Sequence, residues 1–127
     1  MSGPVHPSDE PAAPELKPPV GPEGFAALDL RIGRVVAVEE FPEARQPSYK
    51  LTVDFGSGLG HRRTSAQVTN YAPDELLGRD VVGAMNLGTR RIACFVSEFL
   101  VLGGLEPDGT VRLLRPDVAM PPGSSVA

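Results

Sequence analysis

Residues 49–69, YKLTVDFGSGLGHRRTSAQVT, decide how this chain folds. Leu51, Val53 and Phe55 alternate with Lys50, Thr52 and Asp54, the period-two pattern of a strand with one buried face. GSGLG then reads as a hairpin turn, because glycine adopts positive φ without steric cost. HRRTSAQVT returns as the partner strand with Thr64, Ala66 and Val68 inward, which leaves Arg63, Ser65 and Gln67 in a row on the opposite face. Residues two apart on a strand lie about 6.6 Å apart, a spacing that suits successive groups of an extended polymer.

Upstream of the hairpin, FAALDLRIGRVVAVEEF (25–41) reads as a short helical turn followed by a first strand, with Ile32, Val36 and Val38 sharing a face with Arg34. The Pro-bracketed stretch EEFPEARQPS is a loop. Downstream, APDELLG carries the signals of a short helix: Pro73 in the first turn, acids near the positive N-terminal end, and Gly78 to cap the other end. RDVVGAMN is a fourth strand. IACFVSEFLVLGG (92–104) is expected to be a fifth, apolar on both faces so that one side is covered by another chain. TVRLLRP gives a short flanking C-terminal strand after the turn EPDGT.

Three strands, a short helix and two more strands give an all-β class and the order of a five-stranded OB-fold barrel. In that architecture the ligand face is formed by strands 2 and 3 and by the loops joining strands 1 to 2 and 4 to 5. The mapping brings together Arg45 and Lys50, Arg63, Ser65 and Gln67, and Asn86, Arg90 and Arg91 of NLGTRR. Scattered positions would thus converge on one cationic groove. The bland alternative is that arginines at strand ends merely solvate an edge.

Seven of the 14 prolines fall in residues 1–24, a segment expected to be a disordered tail of polyproline character, with one domain over 25–127. The net charge of −4 divides into −3 for that segment, where Asp9, Glu10, Glu15 and Glu23 oppose Lys17, and −1 for the remainder. A nearly neutral body argues against a strongly basic nucleic-acid binder, so any polyanion site must arise from local clustering. Cys94 is the only cysteine, which excludes an internal disulfide and a cysteine-based metal cluster within one chain. No run reaches the roughly 20 apolar residues of a membrane span, and MSGPVHPSDE lacks the features of a secretory signal, so the expected compartment is the cytoplasm.

FPEARQPSYKLTVDFG, TSAQVTNY and NLGTRRIACFVSEFLVLGG resemble the CsaA family, small bacterial members of the tRNA-binding-domain group, over residues 25–118. The resemblance implies an OB-fold homodimer acting as an export-related chaperone for unfolded preproteins and the secretion ATPase SecA, on a scaffold shared with tRNA binders. By position, Arg45, Lys50, Ser65, Gln67, Asn86, Arg90, Arg91 and also Ser97 fall on the family's groove-lining motifs. It further implies dimer contacts near Phe25 to Leu28 and from Val101 to Leu114. Three features depart from the family pattern: Gly88 and Thr89 replace paired prolines, Cys94 replaces a usual glycine, and the proline-rich tail is long.

Three functional classes compete. An enzyme is disfavoured, since His6 lies in the tail, His61 in a hairpin, Cys94 on a separate element, and no acid, base and nucleophile set converges. No cofactor or metal is expected. A tRNA-binding module would use arginines on phosphates and amides or hydroxyls on base edges and ribose. A peptide-binding chaperone would use the same cleft with an apolar floor for which Phe41, Tyr49, Leu87 and Phe95 are candidates. Stacking platforms for single strands are few near this face, namely Phe41, Tyr49 and Tyr71.

Overall fold

The computed structural model describes residues 14–127; residues 1–13, more than half of the stretch read as a disordered tail, lie outside the described residues. In chain order the elements are α1 (Gly21–Ala26), β1 (Leu30–Glu40), β2 (Tyr49–Asp54), α2 (Gly56–Leu59), β3 (His61–Ala66), α3 (Pro73–Leu76), β4 (Asp80–Ala84), β5 (Arg90–Ile92), β6 (Phe95–Ser97), β7 (Leu100–Val101), β8 (Gly103–Leu105) and β9 (Val111–Leu113). Residues 14–20 are exposed and form neither helix nor strand. Helix α1 begins four residues before Phe25, with Pro22 in its first turn, where the missing N–H has no partner to lose.

Five antiparallel strands form one sheet in the order β3-β2-β1-β4-β7. The hairpin that anchors it has Tyr49 opposite Ala66 and Lys50 opposite Ser65. The link between its strands is one turn of helix, α2, rather than a bare turn; Phe55 N–H donates to Gly60 O at 3.0 Å and Gly60 sits at φ 74. The sheet curls until β3 meets the segment running from β6 to β7. Glu98 N–H donates to Arg63 O at 2.8 Å, and Thr64 Oγ1 donates to Phe99 O at 2.7 Å. The result is a nearly closed OB-fold barrel.

Leu51, Val53, Phe55, Val68, Leu76 and Val81 fill its interior, each at most 1% exposed. Fully burying one such side chain stabilises the fold by about 1.5–3 kcal/mol. Phe55 and Phe99 meet edge to face, 5.0 Å between centroids at 86°. Room for Phe55 comes from Gly33, where a Cβ would lie 2.6 Å from the ring's Cε1 and 2.5 Å from Val53 Cγ1.

Three local expectations change. In β1 the register slips between Val35 and Ala37, a bulge that shifts the inward set: Val35 and Val38 pack on the main core and Val36 is 42% exposed, so Val38 leaves the face it was expected to share with Ile32 and Arg34. Ile32 instead pairs with Val82, and both are buried outside the main cluster. Second, the expected fifth strand is broken. The chain reverses at Ala93 and Cys94, so that β5 and β6 form their own hairpin, and it bends again before β7. Phe95, Ser97 and Phe99 alternate inward while Val96 and Leu100 are exposed. Third, the final residues form an unexpected strap along β1: Gly123 N–H donates to Ile32 O at 2.7 Å, Ile32 N–H to Ser124 O at 2.8 Å, and Val126 N–H to Leu30 O at 3.0 Å. PPGSSVA has no strand signature, which is why sequence pattern misses it.

Candidate ligand-binding groove

A groove of about 570 Å³ opens between the β1–β2 loop, the end of β3, the β5–β6 hairpin and the β8–β9 hairpin. Four of the residues expected to share a site line it together: Arg45 from the loop, Ser65 and Gln67 from the β3 side, and Arg90 from β5. The period-two geometry of β3 sets Ser65 and Gln67 outward while Thr64, Ala66 and Val68 are buried. The facing wall is apolar, formed by Ile92, Leu100, Val101, Leu105 and Val111. Leu100 is 52% and Leu105 63% exposed, so this wall is open to a ligand.

Lys50 and Arg63 lie beside the groove on an aromatic pair. Phe41 and Phe95 pack at 5.5 Å between centroids, and both are buried. Lys50 Nζ sits 4.8 Å above Phe41 and 5.6 Å above Phe95, and the Arg63 guanidinium lies 4.7 Å above Phe95. Arg63 also pairs with Glu39 at 3.2 Å. Cations over rings are attracted by the quadrupole of the π face, so these contacts bias where the two side chains point. Tyr49 is buried as well, its hydroxyl donating to Tyr71 O at 2.9 Å, whereas Leu87 is exposed but not among the residues that line the groove.

The other expected residues do different work. Arg91 follows Arg90 on a strand, so it projects to the opposite side of the hairpin, exposed, opposite Val96. Both polar atoms of the Asn86 amide are used on backbone: Oδ1 accepts from Asp29 N–H and Nδ2 donates to Ala27 O, each at 2.8 Å. Asn86 thereby ties the link between α1 and β1 to the end of β4. Ser97 is buried at the barrel seam, its hydroxyl 2.9 Å from that of Thr64.

The local electrostatics follow from which arginines have partners. Arg31 pairs with Asp29, Arg34 with Asp80, Arg63 with Glu39 and Arg112 with Glu106. Among the described residues no carboxylate pairs with Arg45 or Arg90, so the groove is cationic although the domain is nearly neutral. At the far end, the turn before β9 is tied by Asp108, which accepts from Thr110 N–H at 2.9 Å; that hydrogen bond holds the carboxyl below its usual range. The Arg112 guanidinium is held above its usual range by its hydrogen bond to Glu106. The apolar wall is the part of the site missed from sequence. Most of it falls in the stretch from Val101 to Leu114, which the family resemblance assigned to dimer contacts.

The model of the family described as "Putative tRNA binding domain" matches residues 30–125. Methionine-tRNA ligase 1 of Sorangium cellulosum (strain So ce56) is 40% identical over 115 residues, which cover 87% of this chain and 16% of the ligase. This chain therefore spans only a small part of that relative's length. Solved structures of CsaA from Bacillus anthracis str. Ames and from Picrophilus torridus superpose with a TM-score of 0.78 each. Their identities are 46% and 42%, and each match covers 83% of this chain and 96% of the other.

Proposed function

This chain belongs to the tRNA-binding-domain family and, within it, to the CsaA group, and from that premise we propose that it is a chaperone holding extended segments of unfolded preproteins in the groove. The observation that carries this is the groove's two-sided lining. Guanidinium and amide groups of Arg45, Gln67 and Arg90 face Ile92, Leu100, Leu105 and Val111. An extended polypeptide presents side chains alternately to two sides, so it can lay apolar groups on one bank and carbonyls or acidic groups on the other. Bases of a single-stranded nucleic acid need exposed rings, and here Phe41, Tyr49 and Phe95 are buried and Tyr71 is half-buried under the Arg79 guanidinium. The function is binding without a chemical step.

A tRNA-binding role is the second candidate, favoured by Arg45 and Arg90, which line the groove without carboxylate partners, and by the family's own name. Anisotropy of a labelled unfolded preprotein segment and of labelled tRNA, each across a salt series, separates the two. The chaperone function requires peptide affinity that persists at high salt and falls at least tenfold in Leu100→Glu or Leu105→Glu. With about four phosphate contacts, RNA binding instead gives a slope of log affinity on log salt near −3. A steep slope abolished by Arg90→Glu/Arg91→Glu, with no peptide signal, would establish the RNA role in its place.

We extend the proposal to a cytoplasmic homodimer that engages SecA. Phe25, Leu28, Leu105 and Leu114 are each more than 40% exposed in the single chain, and burying them is the support for self-association. Because Leu105 also borders the groove, a second copy would extend or cap the ligand channel. Sedimentation giving a monomer at micromolar concentration would refute the dimer, and pull-down of purified SecA tests that contact.

A further inference from the structure

A second cavity, of about 480 Å³, lies outside the groove and shares no lining residue with it. Arg34 of β1, Arg79 before β4 and Arg115 after β9 line it, with Gly78, Asp80 and the segment Pro116 to Ala119, which includes Asp117. We propose that this cavity binds a phosphate group, gripped by Arg79 and Arg115 against a wall fixed by Arg34.

The three guanidiniums are not equivalent. Arg34 is committed inward: its Nε donates to Asp80 Oδ1 and its Nη2 to Met120 O, both at 3.0 Å. Asp80 is itself engaged through both oxygens, since the other accepts from Met120 N–H at 3.2 Å. This carboxylate is buried and already matched by one cation, so it has little left to offer Arg79 or Arg115. Among the described residues neither Arg79 nor Arg115 has a carboxylate or hydrogen-bonding partner for its side chain. Arg79 is pre-positioned instead by Tyr71, with the guanidinium 4.9 Å above the ring, and its Nε is buried without a partner. A buried donor lacking an acceptor is uncommon, and here it belongs to a residue that lines an open cavity.

Three arginines against two acids leave the cavity with one net positive charge, in a body that is close to neutral. Guanidinium forks arriving from different segments suit an oxyanion with several oxygens better than a planar carboxylate with two. The phosphate could be the backbone of a bound RNA or a small phosphorylated molecule. The cavity's chemistry is shared between them, and it does not depend on what the groove holds.

Full-length protein labelled with 15N, titrated with inorganic phosphate at constant ionic strength and with chloride as the control, tests the site through the arginine Nε–H resonances. Saturable shifts of Arg79 and Arg115, weakened at least tenfold by Arg79→Gln and by Arg115→Gln and unchanged in Arg45→Gln/Arg90→Gln, are expected. Arg115 is exposed, so its substitution leaves the fold intact and keeps the test decisive if Arg79→Gln does not fold. Equal shifts with chloride, non-saturable shifts, or shifts insensitive to Arg115→Gln would overturn the proposal. Added tRNA that displaces phosphate from this cavity identifies RNA as the source; phosphate binding untouched by tRNA identifies a small phosphorylated ligand.

Discussion

Ala93 adopts φ 53 at the tip of the β5–β6 hairpin, the one positive-φ position not held by glycine among the described residues. An L side chain there costs about 1 kcal/mol, which glycine avoids. Ala93→Gly is therefore expected to raise unfolding stability by up to ~1 kcal/mol, measured as a higher urea midpoint at unchanged slope. Gly33 presents the opposite case. A methyl group would press on Val53 and on the Phe55 ring, so Gly33→Ala should lower stability by about 1–3 kcal/mol through overpacking, seen in the same denaturation experiment. Neither effect could be read from residue identity alone. The FGSGLG turn and the alternation of Leu51, Val53 and Phe55 advertise themselves locally, but the cost at Gly33 depends on a ring contributed 22 positions later.

Elements with a strict two-residue period were legible in the sequence, and those shaped by tertiary contacts were not. Strands β2, β3 and β4 and helix α3 fall where alternation and capping signals place them. The bulge in β1 escaped because Val35, Val36 and Val38 are chemically alike, and only pairing with β2 decides which turns inward. Residues 92–104 read as one strand for the same reason: continuous apolar character hides a reversal that only the backbone at Ala93 reveals. That hairpin carries Arg90 into the groove and sends Arg91 away, so Arg90→Ala should weaken ligand binding several-fold more than Arg91→Ala in anisotropy titrations. The β8–β9 turn offers a pH test. The carboxyl of Asp108 has a lowered folded-state pKa, so its contribution to the turn is present above its ordinary value of 3.8 and is lost as pH falls through the depressed one. The Thr110 amide resonance should accordingly stay constant above pH ~5 and shift only on further acidification.

Across the whole molecule, the candidate site was half legible. Arg45, Ser65, Gln67 and Arg90 meet as the barrel order requires, because strand parity and loop placement follow from topology. Asn86 is spent on backbone at the surface and Ser97 is buried in the seam, and such structural uses of polar side chains are invisible until the neighbouring donors and acceptors are known. The strap along β1 carries a prediction at this scale. Deleting residues 121–127 removes three main-chain hydrogen bonds to Leu30 and Ile32 and should lower the thermal midpoint by several degrees, as a ΔΔG of a few kcal/mol does for a domain of this size. The seam between β3 and β7 has a different consequence. Where β2 shares a ladder of six residue pairs with each of β1 and β3, Thr64, Ser97 and Glu98 hold this junction largely through hydroxyl and carboxylate contacts, so it is the cylinder's zip fastener. Transient parting there would bare the outer edge of β3 next to Gln67, creating an unpaired rung onto which a visiting chain could lie before the cylinder shuts again.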